Sequence, residues 1–207
     1  MLHLKYAPKN ISECVTNLNI IKELPKYLVS DDINTITVIH GDPGSGKTLT
    51  INLILQHLHL HYTEINFTNK ISKDYINEKI QTSNKTVLVF EESDSYENDV
   101  MNALTMYFKK NKTTKKIIIV SNVEWKTTSF NCISMSTKIT NIKKYIIFIK
   151  HICKSENIKI KNISKYIEEN KNNIRNCIKN LQTNEKCLNE VNNKEMMNQL
   201  AEDISMQ

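Results

Sequence analysis

Gly41-Asp42-Pro43-Gly44-Ser45-Gly46-Lys47-Thr48 decides how this chain is read. The run fits G-x-x-x-x-G-K-[ST], the pattern of a loop whose backbone N–H groups cradle phosphate oxygens. The chain has three glycines, and all of them lie in this run. Glycine tolerates positive φ and has no Cβ to hold a ligand away. In such a loop Lys47 reaches the outer phosphates, and the Thr48 hydroxyl can ligate Mg²⁺. The candidate nucleotide-binding segment is therefore Gly41 to Thr48 with Leu49 behind it. Just upstream, Thr35-Ile36-Thr37-Val38-Ile39-His40 is apolar and β-branched and reads as a buried strand. Just downstream, Leu49, Leu53, Ile54 and Leu58 recur at helical spacing. Strand, glycine loop and helix in that order aim a helix N-terminus at an anion.

Strand and helix signals alternate on both sides of this unit. Ile20 to Leu28 reads as a helix that Pro25 bends or ends early, and Leu2 to Pro8 as a short extended segment. Strands are expected at Tyr62 to Phe67, Thr86 to Phe90, Lys116 to Val120 and, more briefly, Cys132 to Met135. Helices are expected at Lys70 to Ile80 and Asn98 to Phe108, the latter offering Val100, Met101, Leu104, Met106 and Tyr107 for burial. The run Thr86-Val87-Leu88-Val89-Phe90 is apolar without alternation, as in a parallel sheet covered on both faces. The fold class is α/β. Beyond about Thr140 only helices are expected, at Ile142 to Glu156, Ile163 to Glu169 and Ile174 to Leu181. The expected organisation is a nucleotide-binding domain over 1–138, a small helical domain over 139–185, and a polar tail or partial helix over 186–207.

Two polar strand ends carry candidate chemistry. Strand Thr86–Phe90 runs into Glu91-Glu92-Ser93-Asp94. A carboxylate at that place can hold Mg²⁺ beside the Thr48 hydroxyl, and its neighbour can polarise an attacking water. Glu91 is assigned to the metal and Glu92 to the water, in preference to a merely solvated acidic turn. Strand Lys116–Val120 ends in Ser121-Asn122. Asn122 can orient the water, although Asn is also common where a strand simply turns. Arg175 is the only arginine in the chain, and its planar fork suits phosphate oxygens.

Composition narrows the class. The chain has 207 residues, a net charge of +6 and 40% hydrophobic residues, enough for a real core and permissive of nucleic-acid contact. No apolar run reaches membrane-spanning length, and no signal pattern opens the chain. The expectation is an intracellular protein without a membrane partner, in nucleus, cytoplasm or a viral replication site. Five scattered cysteines without a C-x-x-C pair fit a reducing compartment. His57 and His61 would share a face if their helix persisted, but a third ligand is lacking. The lysines from Lys109 to Lys116 read first as a solvated loop and second as a DNA contact.

These pieces resemble the AAA+ ATPases, and within them the clamp-loader branch, replication factor C. Lys5-Tyr6-Ala7-Pro8-Lys9 resembles that family's K-Y-x-P-x motif, which places Tyr6 and Pro8 near the adenine. Glu64-Ile65-Asn66-Phe67-Thr68 resembles its E-x-N-x-S/T strand, and Val87 to Ser95 its apolar run followed by D-E-x-D-S, with Glu91 for Asp. Ser121-Asn122 is similar to sensor 1. Asn173-Ile174-Arg175-Asn176 is similar to the D-[ILM]-R segment of sensor 2, with Asn173 for Asp.

The resemblance implies a P-loop core with a helical lid, ATP and Mg²⁺ as cofactors, and Arg175 on the γ-phosphate. It implies an ATPase, weak in isolation, that joins related AAA+ subunits in a hetero-oligomer and helps load a sliding clamp on primer-template DNA. Ser129-Phe130-Asn131-Cys132 stands where small subunits carry the arginine finger of a Ser-Arg-Cys motif. The lack of that arginine resembles the large subunit, and a finger from a partner would be required. By the same resemblance a helical collar of roughly a domain's length would follow, and this sequence ends too soon for a full one. A non-catalytic structural subunit of a replication complex, and a helicase loader or initiator, are the alternatives.

Overall fold

Strands buried on both faces need apolar side chains at consecutive positions, and three stretches of this chain supply them. The computed structural model describes residues 1–31, 35–66, 73–92, 94, 97–110, 115–125, 131–139, 141–170 and 173–183. Its strands are β1 (Thr35–His40), β2 (Tyr62–Asn66), β3 (Val87–Glu91), β4 (Lys116–Ser121) and β5 (Asn131–Ser136). They form one sheet in the order β2-β3-β4-β1-β5, with every neighbouring pair parallel. The helices are α1 (Leu2–Lys5), α2 (Leu18–Val29), α3 (Lys47–His57), α4 (Lys73–Thr82), α5 (Glu97–Lys110), α6 (Ile142–Ser155), α7 (Ile163–Glu169) and α8 (174–183).

Successive strand residues feed opposite cores, as the period of two requires. Ile36 and Val38 of β1, Leu88 and Phe90 of β3, and Ile117 and Ile119 of β4 pack with Ile80 of α4 and Val100, Ala103 and Leu104 of α5. On the other face Ile39, Val87, Val89, Ile118 and Val120 pack with Ile20, Leu24 and Leu28 of α2 and Ile51, Ile54 and Leu55 of α3. Each fully buried aliphatic side chain contributes about 1.5–3 kcal/mol. Of the burial candidates on α5, Val100 and Leu104 are buried, Met101 is partly so, and Met106 is exposed.

The sheet order puts the carboxyl ends of β3, β4 and β1 side by side. His40 pairs with Ser121, and Phe90 with Ile119, so these ends finish nearly level. Whatever follows His40, Phe90 and Ser121 is thereby gathered at one rim.

The chain forms two compact units, Pro8–Asn141 and the segment from Ile142 onward with Met1–Ala7. In the helical unit Tyr145, Ile149 and Ile152 of α6, Ile167 of α7, and Cys177 and Leu181 of α8 are buried. The Tyr166 hydroxyl donates to the Cys177 carbonyl at 2.6 Å. Asn173 accepts from the Asn176 N–H at 3.1 Å, capping the start of α8 as an aspartate would. No described helix is long and apolar enough to cross a membrane.

One expectation gives way, and two alternatives left open by the sequence are decided. Pro25 does not end its helix early: α2 continues to Val29. Proline forfeits one helical hydrogen bond, while residues on both sides of it, Leu24, Tyr27 and Leu28, are buried, and the Tyr27 hydroxyl bonds the Thr35 carbonyl. Leu2 to Pro8 is not extended throughout. Leu2 is buried, and Leu2–Lys5 make one helical turn with the Tyr6 N–H bonded to the Leu2 carbonyl at 3.0 Å. The second alternative concerns the histidines: α3 stops at His57 and His59 adopts φ 53°, so His57 and His61 share no helix face. Phe67, residues 70–72 and the tail expected over 186–207 lie outside the described residues.

Candidate functional site

The glycine loop leaves β1 and enters α3. Its shape shows why two of the glycines are required. At Gly41, φ is 143°, and a Cβ would fall 1.9 Å from Thr137 Oγ1. The Thr137 N–H in turn donates to the His40 carbonyl at 2.8 Å. Gly46 caps α3 with φ 90°, in the left-handed region that other residues rarely adopt. The N–H groups in the first turn of α3 have no partner within the helix and carry the positive end of its dipole. An anion in the loop would meet both.

Lys47 begins α3 and is buried to 9% exposure. Its ammonium folds back onto the loop, donating to the Gly41 carbonyl at 2.5 Å and the Asp42 carbonyl at 3.2 Å. It also donates to Asn122 Oδ1 at 3.0 Å. The strand-end reading of Asn122 thus has a geometric partner in the loop.

The next residue makes the second connection. Thr48 Oγ1 donates to Glu91 Oε2 at 3.0 Å. Glu91 ends β3 and is buried. Burial pushes its carboxyl up to about 7; Glu64 and Glu92 push the same way, while the Thr48 hydrogen bond and the Lys47 charge oppose them. The second oxygen, Glu91 Oε1, is buried without a hydrogen-bond partner among the described residues. A hydroxyl beside a carboxylate with one oxygen to spare is a donor set that suits magnesium. Glu92 is exposed and has φ 54°, turning the chain away from β3.

Asp94 belongs to the same rim, and the sequence reading assigned it no role. Its Oδ1 accepts from the Ser121 hydroxyl at 2.5 Å and the Asn122 N–H at 2.7 Å, and its Oδ2 accepts from Asn122 Nδ2 at 2.7 Å. The hints in the sequence are its place in the acidic run after β3 and in the stretch that resembles D-E-x-D-S. A second residue without an assigned role, Asn17, reaches the loop from the start of α2.

A family model described as an AAA domain matches residues 18–206. The chain belongs to the AAA domain family. It is 28% identical over 181 residues to a probable replication factor C subunit 5 of Dictyostelium discoideum, covering 75% of this chain and 50% of that protein. It is 26% identical over 132 residues to a replication factor C small subunit of Methanococcus vannielii, covering 57% and 42%. The chain thus spans about half the length of these curated relatives. Among solved structures, the RuvB Holliday junction branch migration motor of Thermotoga maritima superposes with a TM-score of 0.61 at 15% identity, covering 86% of this chain and 64% of that one. That likeness shows the fold: a parallel P-loop sheet of the AAA+ kind.

The other expected site residues of this AAA domain are placed as follows. Asp42, Pro43, Gly44 and Ser45 complete the loop, and Leu49 is 38% exposed on α3. Pro8 begins the sheet unit, whereas Tyr6 belongs to the helical unit. There the Tyr6 hydroxyl bonds Glu156, and its ring stands edge-on to His151 with centroids 6.2 Å apart. Arg175 is exposed on α8 in the helical unit. Of the lysine cluster, Lys115 donates to the Ser83 carbonyl at 2.8 Å, and Lys116 is buried over the Tyr27 ring. Residues 111–114 lie outside the described residues.

Proposed function

We propose that this AAA domain binds and hydrolyses MgATP as a subunit of a clamp-loader-like complex that helps load a sliding clamp during DNA replication. The observation that carries the reading is the pair of contacts at the rim, Lys47 to Asn122 and Thr48 to Glu91. They bring a cation, an amide, a hydroxyl and a carboxylate from three chain segments to the mouth of one anion-binding loop.

In this reading the loop N–H groups hold the phosphates and Lys47 exchanges its carbonyl partners for phosphate oxygens. Thr48 and Glu91 hold Mg²⁺, which supplies charge neutralisation when bound. Glu92 polarises the attacking water and Asn122 orients it, the division of labour expected when positioning and electrostatics carry phosphoryl transfer. Arg175 serves the γ-phosphate from a helical lid, and Tyr6 and Pro8 lie near the base. The domain boundaries at 138–139 and 185–186 belong to the same reading.

The segment Ser129–Cys132 contains no arginine, so this chain would supply no finger to a neighbour, and hydrolysis of its own ATP would need a finger from a partner. That supports a position like the large subunit's in a hetero-oligomer of related AAA+ chains, with sliding clamp and primer-template DNA as further partners. A nucleotide-binding adaptor without turnover is the second reading. It is favoured by Glu91, whose longer and readily protonated carboxyl makes a weaker metal ligand than an ionised aspartate.

MgATP binding and turnover by the purified protein, alone and with clamp, primed DNA and loader subunits, test both. Turnover that appears only with partners and is lost in Lys47→Ala and Glu92→Gln supports the loader. Binding without turnover in every mixture supports the adaptor, and no binding at all refutes both.

A further inference from the structure

Asn17 lies outside every motif of the sequence, yet it is 1% exposed and touches the loop. It precedes α2 in a left-handed conformation, φ 57° and ψ 29°. Its backbone is tied at both ends. The Asn17 N–H donates to the Lys138 carbonyl at 3.1 Å, just past β5, and its carbonyl accepts from the Ile21 N–H at 3.0 Å. From this fixed base the side-chain amide donates to the Ser45 carbonyl at 2.9 Å and to Thr50 Oγ1 at 3.1 Å.

We propose that Asn17 is a positioning residue for the phosphate-binding loop, holding the Ser45 carbonyl so that the Gly46 N–H is turned towards bound phosphate. The proposal rests on the nucleotide-binding reading of Gly41 to Thr48. The peptide between Ser45 and Gly46 is trans, as are all peptides described. In a planar trans peptide the C=O and N–H point in opposite directions. Anchoring the Ser45 oxygen on the Asn17 side therefore sends the Gly46 N–H to the other side. Without that anchor the peptide is free to flip and present an oxygen to an anion, which repels it.

The residue type follows from two demands. The backbone is left-handed, which Asn, Asp and Gly accept most readily. The side chain must donate two hydrogens, one to a carbonyl and one to a hydroxyl. An amide does so, an ionised carboxylate cannot, and glycine has nothing to offer. Among residues suited to the backbone, only asparagine meets both demands.

The chain's three glycines make the test direct, because selective ¹⁵N-glycine labelling yields amide signals from the loop alone. In the wild type, MgADP is expected to move the Gly46 signal downfield. In Asn17→Asp the signal is expected to lose that shift and MgADP affinity to fall about tenfold or more, while the thermal transition stays cooperative. Asn17→Gly keeps the left-handed backbone without the donor and should weaken binding similarly, its added signal being identified by difference. Nucleotide affinity within about twofold of wild type in either folded variant, with the Gly46 shift preserved, overturns the proposal. Wild-type signals that ignore MgADP overturn the nucleotide reading itself and the proposal with it.

Discussion

The Asn122 amide is held between a cation and a carboxylate: Lys47 Nζ stands 3.0 Å from its Oδ1, and Asp94 Oδ2 stands 2.7 Å from its Nδ2. Lysine only donates and an ionised carboxylate only accepts. The two neighbours therefore fix which end of the amide faces the loop. In the proposed reading, Lys47 turns to a phosphate and leaves Asn122 Oδ1 facing the loop as an acceptor for the hydrogen of a water.

Asp94→Asn tests that arrangement with little change of volume. If its amide nitrogen faces Asn122 Nδ2, donor meets donor and the orientation is no longer enforced. In an assembly competent for hydrolysis, kcat is expected to fall about tenfold, equivalent to roughly 1.4 kcal/mol in the barrier. KM for ATP should change by less than about threefold. Steady-state kinetics check this, and equal losses in kcat and affinity would show that Asp94 supports the loop as a whole.

Lys47→Ala removes the cation nearest the loop. Its loss is expected to weaken MgATP binding by about 100-fold, roughly 3 kcal/mol. Stability without nucleotide should hold up much better, because the bonds lost are to carbonyls at the loop rim that water can solvate. Isothermal calorimetry and thermal melting separate the two effects. A large loss of melting temperature with unchanged binding would contradict the role.

Glu91 predicts a pH dependence of definite sign. Its carboxyl titrates at about 7 in the fold against an ordinary 4.5, chiefly because it is buried. Between these values the folded state holds a proton that the unfolded state has released, so stability falls as pH rises and levels off above about 7. In magnesium-free, nucleotide-free buffer, Glu91→Gln is expected to gain stability relative to wild type across that interval. Below pH 4.5 the difference should be flat. Urea melts at pH 4, 6 and 8 measure it, and a difference independent of pH would refute the burial of a titrating carboxyl.

The parts of this site visible in the sequence are those held within short stretches. Glycine confined to one run marked the loop, and unbroken apolar runs marked β3 and β4, so Glu91 and Asn122 could be placed at strand ends. Glu91 beside Thr48 followed from that placement, but the partners that Asn17 and Asp94 find at the rim were not visible. Asn17 reaches Ser45 only because α2 packs beside α3, and Asp94 reaches Asn122 only because β3 lies next to β4. Pro25 shows the reverse case: of the bend or early end that it allows, the early end is overruled by the buried face of α2. Local rules mark the backbone devices; the partners of polar side chains depend on tertiary packing.

Gly41 offers the sharpest test of how the loop is held. A Cβ there would lie 1.9 Å from Thr137 Oγ1 and 3.1 Å from Thr137 Cβ, and φ 143° is already unfavourable for an L side chain. Gly41→Ala must therefore displace Thr137 or distort the loop, and is expected to cost about 1–3 kcal/mol of stability along with nucleotide affinity. Thr137→Ala removes the nearer atom and leaves the backbone strain. Combined with Gly41→Ala it should restore part of the stability, with a coupling of about 1 kcal/mol or more in a double-mutant cycle. Strictly additive effects would mean that the strained φ alone, and not the approach of Thr137, reserves this position for glycine.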